Sequence, residues 1–169
     1  MKTILLKTSI VVSVLVAVVS GGYYLLPLEV TSVLWCVFVG LAVTFASGAD
    51  VKQVPNYILS EVSGIIWGYI YFFIIGWFMS NSNMSAATIM FWVVLIVTII
   101  VVCIHMILLK NTWFNQVPLV FSALACYFAV QGNGFVYVGL SLILGTFIAV
   151  GTNPIVMLFT KKEVQKIDV

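Results

Sequence analysis

The chain has 169 residues, of which 63% are hydrophobic and 7% are charged, with a mean hydropathy of +1.24. Because soluble domains are about a quarter charged, this composition excludes an ordinary soluble protein and predicts an all-α integral membrane protein. The net charge of +2 comes from lysines without any arginine, so we expect no nucleic acid partner.

Six apolar runs, separated by polar residues, glycine or proline, predict six transmembrane helices. In chain order the runs are residues 4–26, 32–49, 57–79, 87–109, 117–130 and 135–159. The first run reaches the roughly 20 residues that a membrane crossing needs, so we expect a helix there and not a cleaved signal peptide. The connections, including a loop at 27–31, are short, so we expect a single transmembrane domain over residues 1–169.

The lysines predict the orientation of the chain, because cytoplasmic segments are enriched in basic residues near helix ends. With the N-terminus in the cytoplasm, all seven lysines fall on that side: Lys2, Lys7, Lys52, Lys110, Lys161, Lys162 and Lys166. We therefore expect both termini, and a charged tail at 160–169, to be cytoplasmic.

The second and fifth predicted helices share a pattern of aromatic and small residues. Phe38, Leu41, Ala42, Phe45 and Ala46 match Phe121, Leu124, Ala125, Phe128 and Ala129 at identical spacing. With three helices in each half, repeat one (about 4–79) and repeat two (about 87–159) must have opposite orientations, which is the inverted-repeat plan of many transporters. The alternative is a chance match, because small and aromatic residues recur in any apolar sequence.

Three segments that include these residues carry a resemblance to a known family. Residues 35–50 with the Phe-Ala-Ser-Gly turn, residues 63–67, and residues 117–132 with Phe-Ala-Val-Gln-Gly resemble the bacterial inner-membrane proteins catalogued as domain of unknown function 1097. The similarity runs from about residue 4 to about residue 154. It implies a multi-pass location in the bacterial inner (plasma) membrane and a multi-helix fold, and brings no established activity.

Two ionisable residues inside the apolar runs are candidates for a substrate pathway. Glu61 lies about one turn into the third helix. In a functional role, it is expected to contact a cation or accept a proton. In a structural role, it is a carboxylate favoured at a helix start or a partner of Lys52. His105, the only histidine, either gates or relays protons near the end of the fourth helix, or is a buried imidazole hydrogen-bonded to a neighbouring helix.

The polar turns that end the second and fifth helices supply four more pathway candidates. Ser47 and Asp50 are in the first turn, and Gln131 and Asn133 are in the second, with Asp50 and Asn133 in corresponding positions. The turns form the mouths of a pathway related by two-fold symmetry, or they are ordinary helix ends.

Other residues are assigned structural roles. The aromatic residues, Trp67 among them, are expected to anchor helix ends at the membrane interface. Six glycines are expected at close helix contacts, and the Gly64-x-x-x-Gly68 pair indicates a packed or oligomeric interface. The six are Gly40, Gly64, Gly68, Gly76, Gly139 and Gly145.

No motif of an enzyme, metal site or cofactor site is present, so we expect neither catalysis nor a bound cofactor or metal. The preferred function is a small-solute channel or facilitator, and the alternative is a non-transporting membrane partner or assembly protein. Six short helices enclose little volume, so we expect either a narrow path in each protomer or a homo-oligomer, with three-fold symmetry as one arrangement. Membrane lipid is the other expected partner.

Overall fold

A computed structural model describes residues 2–167, and all the regular elements in that range are helical. The helices are α1 (Lys2–Tyr23), α2 (Leu28–Thr31), α3 (Leu34–Ala46), α4 (Val54–Asn81), α5 (Ala86–Cys103), α6 (Val117–Ala129) and α7 (Phe135–Ile167). A 3₁₀ turn, Val51–Gln53, precedes α4, and a π-helix, Ile104–Leu108, continues α5. Each of the six predicted runs therefore contains a helix.

One predicted boundary was wrong. The expected loop at 27–31 contains α2, which begins after Pro27, a residue that cannot extend a preceding helix. The apolar part of α7 ends at Phe159, as the predicted run does, and the helix itself continues to Ile167, since lysine and glutamate are good helix formers. Residues 168 and 169 of the predicted tail lie outside the described range.

Five helical stretches within residues 4–159 are long and apolar enough to cross a membrane, so the protein is a multi-pass membrane protein. They are Ile4–Tyr23, Leu28–Ala46, Val51–Asn81, Ala86–Leu108 and Phe135–Phe159. α6 is also apolar but has only 13 residues. It therefore spans about 20 Å of a hydrocarbon core that is about 30 Å thick.

The chain divides into two compact units. The first contains the chain up to Val54 together with α7 from Leu140, and its core includes Val37 and Leu41 of α3 and Ala149 of α7. The second covers Pro55–Gly139, and its core lies among α4, α5 and α6. That second core consists of Tyr71, Ile75, Ile89, Val93, Val97, Val101, Val120 and Leu124.

Glycines allow the close helix contacts inside each unit. In the first unit, a Cβ atom on Gly145 would collide with the backbone of Val37, Gly40 and Leu41. In the second, a Cβ atom on Gly64 would meet the Val120 carbonyl and lie 2.7 Å from the Ala123 Cβ.

Four of the six glycines predicted to make close helix contacts do so. Gly40 and Gly68 join Gly145 and Gly64 in this role, because a Cβ on Gly40 would meet the Leu142 backbone and one on Gly68 the Tyr127 ring. The prediction was wrong for Gly76 and Gly139, where a Cβ would meet no described atom within 4 Å. The Gly64–Gly68 pair is thus used for packing within a unit.

Candidate functional site

One face of α4 carries a line of polar side chains in the second unit. Asn56, Ser60, Ser63 and Trp67 follow one another at spacings of three or four residues, which places them on the same side of a helix. Asn56, Ser60 and Ser63 are buried and Trp67 is half-buried. All four contact the segment that runs from the π-helix to the start of α6.

His105, on the π-helix, makes the contacts at the Trp67 end of this line of side chains. Its Nδ1 lies 2.6 Å from the carbonyl oxygen of Phe114, and its Nε2 lies 3.0 Å from Nε1 of Trp67. Because the carbonyl only accepts and the indole N–H only donates, Nδ1 carries the proton and Nε2 accepts. Ser63 Oγ lies 3.5 Å from the same Nε2. The geometry thus holds a neutral imidazole against the neighbouring helix.

Asparagine and serine side chains make the contacts at the other end of the line, near the start of α4. Asn56 Nδ2 donates to Oδ1 of Asn115 at 2.8 Å, and Asn115 Nδ2 donates to the carbonyl oxygen of Lys110 at 2.7 Å. Ser60 Oγ accepts from the backbone N–H of Gln116 at 3.2 Å. These bonds fix the loop before α6 and satisfy polar groups that would otherwise be costly to bury.

A cleft of about 490 Å³ lies beside this contact in the second unit. It is lined by His105, Met106, Lys110, Asn115, Gln116 and Val117. Lys110 is exposed and Gln116 is half-buried, so a cationic and an amide side chain lie at its surface. The cleft is large enough for a small polar solute next to the imidazole.

Glu61 is on the same helix, with 1% of its surface exposed. Its side chain makes a polar or electrostatic interaction, and its Oε2 atom accepts no hydrogen bond within residues 2–167. Burial of an ionised carboxylate in an apolar setting is expensive, so a carboxylate at this depth needs an explanation. Glu61 is the most deeply buried acidic side chain that the structure describes.

The two polar turns have the same backbone geometry. Gly48 and Ala49 have φ values of 98° and 47°, and Gln131 and Gly132, each 83 positions later, have values of 54° and 79°. The Ala49 N–H donates to the Thr44 carbonyl at 3.0 Å, and the Gly132 N–H donates to the Tyr127 carbonyl at 3.1 Å. Both helices therefore end in the same six-residue, left-handed cap.

The predicted pathway residues are not all close together. Ser47 and Asp50 belong to the first unit, where the Asp50 side chain accepts from the Lys52 N–H at 2.9 Å. Gln131 and Asn133 belong to the second, after the C-terminal end of α6. Within the second unit, His105 contacts the residues that precede α6, so the length of that helix, about 20 Å, separates His105 from Gln131 and Asn133.

Several polar contacts were missed by sequence reasoning. Trp67 was assigned to interfacial anchoring, whereas its indole N–H donates to His105; its helical spacing from Ser60 and Ser63 was the available signal. In the first unit, Tyr23 Oη lies 2.8 Å from Ser141 Oγ. The hydroxyls of Thr44 and Thr146 are 2.7 Å apart, and no sequence pattern joined these distant partners.

A comparison with family profiles gives one assignment for this sequence. The profile described as "Protein of unknown function (DUF1097)" matches residues 9–156. No curated protein and no solved structure matches the chain. The match covers the segments on which the sequence resemblance was based, and it includes the polar contact around His105, Glu61 and both turns. The chain belongs to the DUF1097 family.

Proposed function

We propose that this protein is a channel or facilitator for a small solute in the bacterial inner membrane, built from two inverted halves and without catalytic activity. Five long apolar helical stretches support five of the crossings, and the proposal makes the shorter apolar helix α6 the sixth. The lysine distribution supports a cytoplasmic location for both termini.

The observation that carries the proposal is a helix contact that occurs once in each unit. Gly145 of α7 faces the Val37 carbonyl of α3, and Gly64 of α4 faces the Val120 carbonyl of α6. Val120 follows Val37 by 83 positions, the same offset as between the two left-handed caps. Agreement between the close contacts and the caps supports a true repeat over a chance recurrence of small residues.

The composition of the units supports the same interpretation. The first unit combines α1 and α3 of the first half with most of α7 of the second half, and the second combines α5 and α6 with α4. Each unit therefore contains two helices of one half and the third helix of the other. This reciprocal exchange of one helix supports an internal repeat, the plan on which many transport proteins are built.

The alternative, a membrane partner without transport, needs a surface for its target. The glycine pair Gly64–Gly68 was the sequence feature that best suited such a surface, and it is occupied by Val120, Ala123 and Tyr127 within its own unit. The polar contact around His105 is buried within the second unit, so it supplies no surface for a target either. Both observations favour the solute pathway, in a monomer or in a homo-oligomer.

The test is solute flux in liposomes that contain the purified protein. Stopped-flow light scattering would follow a panel of small neutral solutes, weak acids and amines, with protein-free liposomes as the background. We expect accelerated entry of at least one solute. Glu61→Gln should change the rate, while Glu29→Gln, which alters an exposed acid on α2, should not. Background rates across the panel would favour the membrane-partner alternative.

A further inference from the structure

The cleft beside His105 is lined by one charged side chain, and that side chain is a cation. Both ring nitrogens of His105 are engaged in hydrogen bonds, and so are the amide oxygen and nitrogen of Asn115. The exposed Lys110 ammonium and the Gln116 side-chain amide, in contrast, bond to no described residue. No acidic residue lines the cleft. A ligand there therefore meets one positive charge and one amide, which suits a phosphate group.

An apolar cavity of about 350 Å³ follows this cleft along α5 and α6, within the second unit. Val117 lines the cleft, and Phe121, one turn further along α6, lines the apolar cavity. Met106 lines the cleft, and Thr98, about two turns earlier in the chain, lines the apolar cavity. The two cavities are thus consecutive parts of one groove, which we call the α5–α6 groove. Its apolar part lies between Met90, Val94 and Thr98 of α5 and Phe121, Ala125 and Phe128 of α6.

The position of Lys110 matches the headgroup level of a bilayer. The apolar stretch formed by α5 and the π-helix ends at Leu108, two residues before Lys110. One leaflet supplies about 15 Å of hydrocarbon, half of a core that is about 30 Å thick. Ala125 follows Val117 by eight positions, which is about 12 Å along a helix. An acyl chain that leaves a headgroup at Lys110 therefore reaches the level of Ala125 inside the groove.

The surface of α5 favours a lipid over a second copy of the chain as the occupant. Helices in membranes associate through small residues, and the close contacts of this chain use glycine, whereas α5 contains none. A second cavity on α5, shared with α4 and about 320 Å³ in volume, has no charged lining residue. That cavity suits any hydrocarbon chain. The α5–α6 groove adds a cation at one end, and this charge selects an anionic headgroup.

We propose that the α5–α6 groove binds an anionic phospholipid, with one acyl chain in its apolar part and the phosphate on Lys110 and Gln116. The lipid fills the space beside the short helix α6 and connects the loop before that helix to the membrane surface. This site goes beyond the proposed solute pathway and does not depend on it.

The headgroup contact is tested by native mass spectrometry of the purified protein in detergent. The protein would be titrated with phosphatidylglycerol and with phosphatidylethanolamine that carries the same acyl chains. We expect phosphatidylglycerol to bind about five- to tenfold more tightly. Lys110→Gln should remove this preference, and Lys110→Arg, which keeps the charge, should retain most of it. Lys52→Gln, which alters an exposed lysine of the first unit, is the matched control and should bind like the wild type.

The acyl-chain contact is tested by filling the groove. Ala125→Trp, and to a smaller extent Ala125→Leu, should weaken the binding of phosphatidylglycerol, because Ala125 is exposed in the apolar part. Ile96→Trp, which fills the cavity between α4 and α5, should not weaken it. Glycerol 3-phosphate, which has the phosphate without acyl chains, should not compete.

The proposal would be overturned by equal binding of the two lipids to the wild type, or by losses at only one of Lys110 and Ala125. Competition by glycerol 3-phosphate would instead assign the cleft to a free anion. A dimer that Ala125→Trp dissociates would assign the groove to a second copy. Solute flux enters none of these measurements, so the channel proposal and the lipid site can fail independently.

Discussion

Substitution of the glycines at the repeated helix contact gives the most sharply defined prediction. In Gly64→Ala the new Cβ would lie 2.7 Å from the Ala123 Cβ and 3.0 Å from the carbonyl carbon of Val120. Carbon atoms pack best at about 3.5–4.0 Å, so α4 and α6 would have to separate by about 1 Å. The obstructing atoms are largely backbone, and no rotamer change can move them away.

We therefore expect Gly64→Ala to lower the free energy of unfolding by about 2–3 kcal/mol, toward the upper end of the usual cost of overpacking. Gly76→Ala is the matched control on the same helix, because a Cβ there meets no described atom within 4 Å. Removal of a helical glycine should make that control equal to the wild type or more stable by up to about 1 kcal/mol.

The assay is unfolding in SDS, followed by circular dichroism and tryptophan fluorescence. The same comparison applies to α7, where Gly145→Ala should be destabilising and Gly139→Ala should not. Equal stabilities within either pair would refute the reasoning, because they would mean that these helices do not approach as closely as the structure indicates. A loss at Gly64 without a loss at Gly145 would also remove the main support for the repeat.

Three other contacts give simpler tests. Thr146→Val should lower the free energy of unfolding by about 1–3 kcal/mol, because it removes the partner of the buried Thr44 hydroxyl. The double variant with Thr44→Val should recover most of that loss, and additive losses in SDS unfolding would contradict this. Trp67→Phe should lower the free energy of unfolding by about 1 kcal/mol, because it removes the hydrogen bond to His105. In the wild type, ¹⁵N NMR should find the His105 proton on Nδ1, and a proton on Nε2 would contradict the assignment. Gln131→Gly should raise stability by about 1 kcal/mol by relieving a positive φ of 54°, and a loss would mean that the side chain outweighs the strain.

The helices were predictable because an apolar run long enough to cross a membrane has few other stable conformations. The left-handed caps were partly predictable, since Gly48 and Gly132 mark helix ends, but Ala49 and Gln131 carry no such signal. The π-helix at 104–108 was not predicted from the sequence, and in the structure its residue His105 bonds to Trp67 of α4 and to Phe114. Contacts between distant residues are set by packing, and a single sequence does not record which helix faces which.

In the candidate site, too, single unusual residues were predictable from the sequence, and contacts between residues far apart in the chain were not. Glu61 and His105 were recognisable because ionisable residues are rare in apolar runs, and both are buried. The contact that joins Asn56 to Asn115 links residues 59 positions apart, and neither residue is unusual within a few residues of a proline at a helix start.

The central claim is that the two halves have opposite orientations in the membrane, and the sidedness of the two matched caps tests it most directly. Ser47→Cys and Gln131→Cys would be placed separately in a chain whose three native cysteines have been replaced, and labelled with an impermeant maleimide in intact cells and in inverted vesicles. The account predicts that position 47 reacts only from the cytoplasmic side and position 131 only from the opposite side. Labelling of both positions from the same side would contradict it.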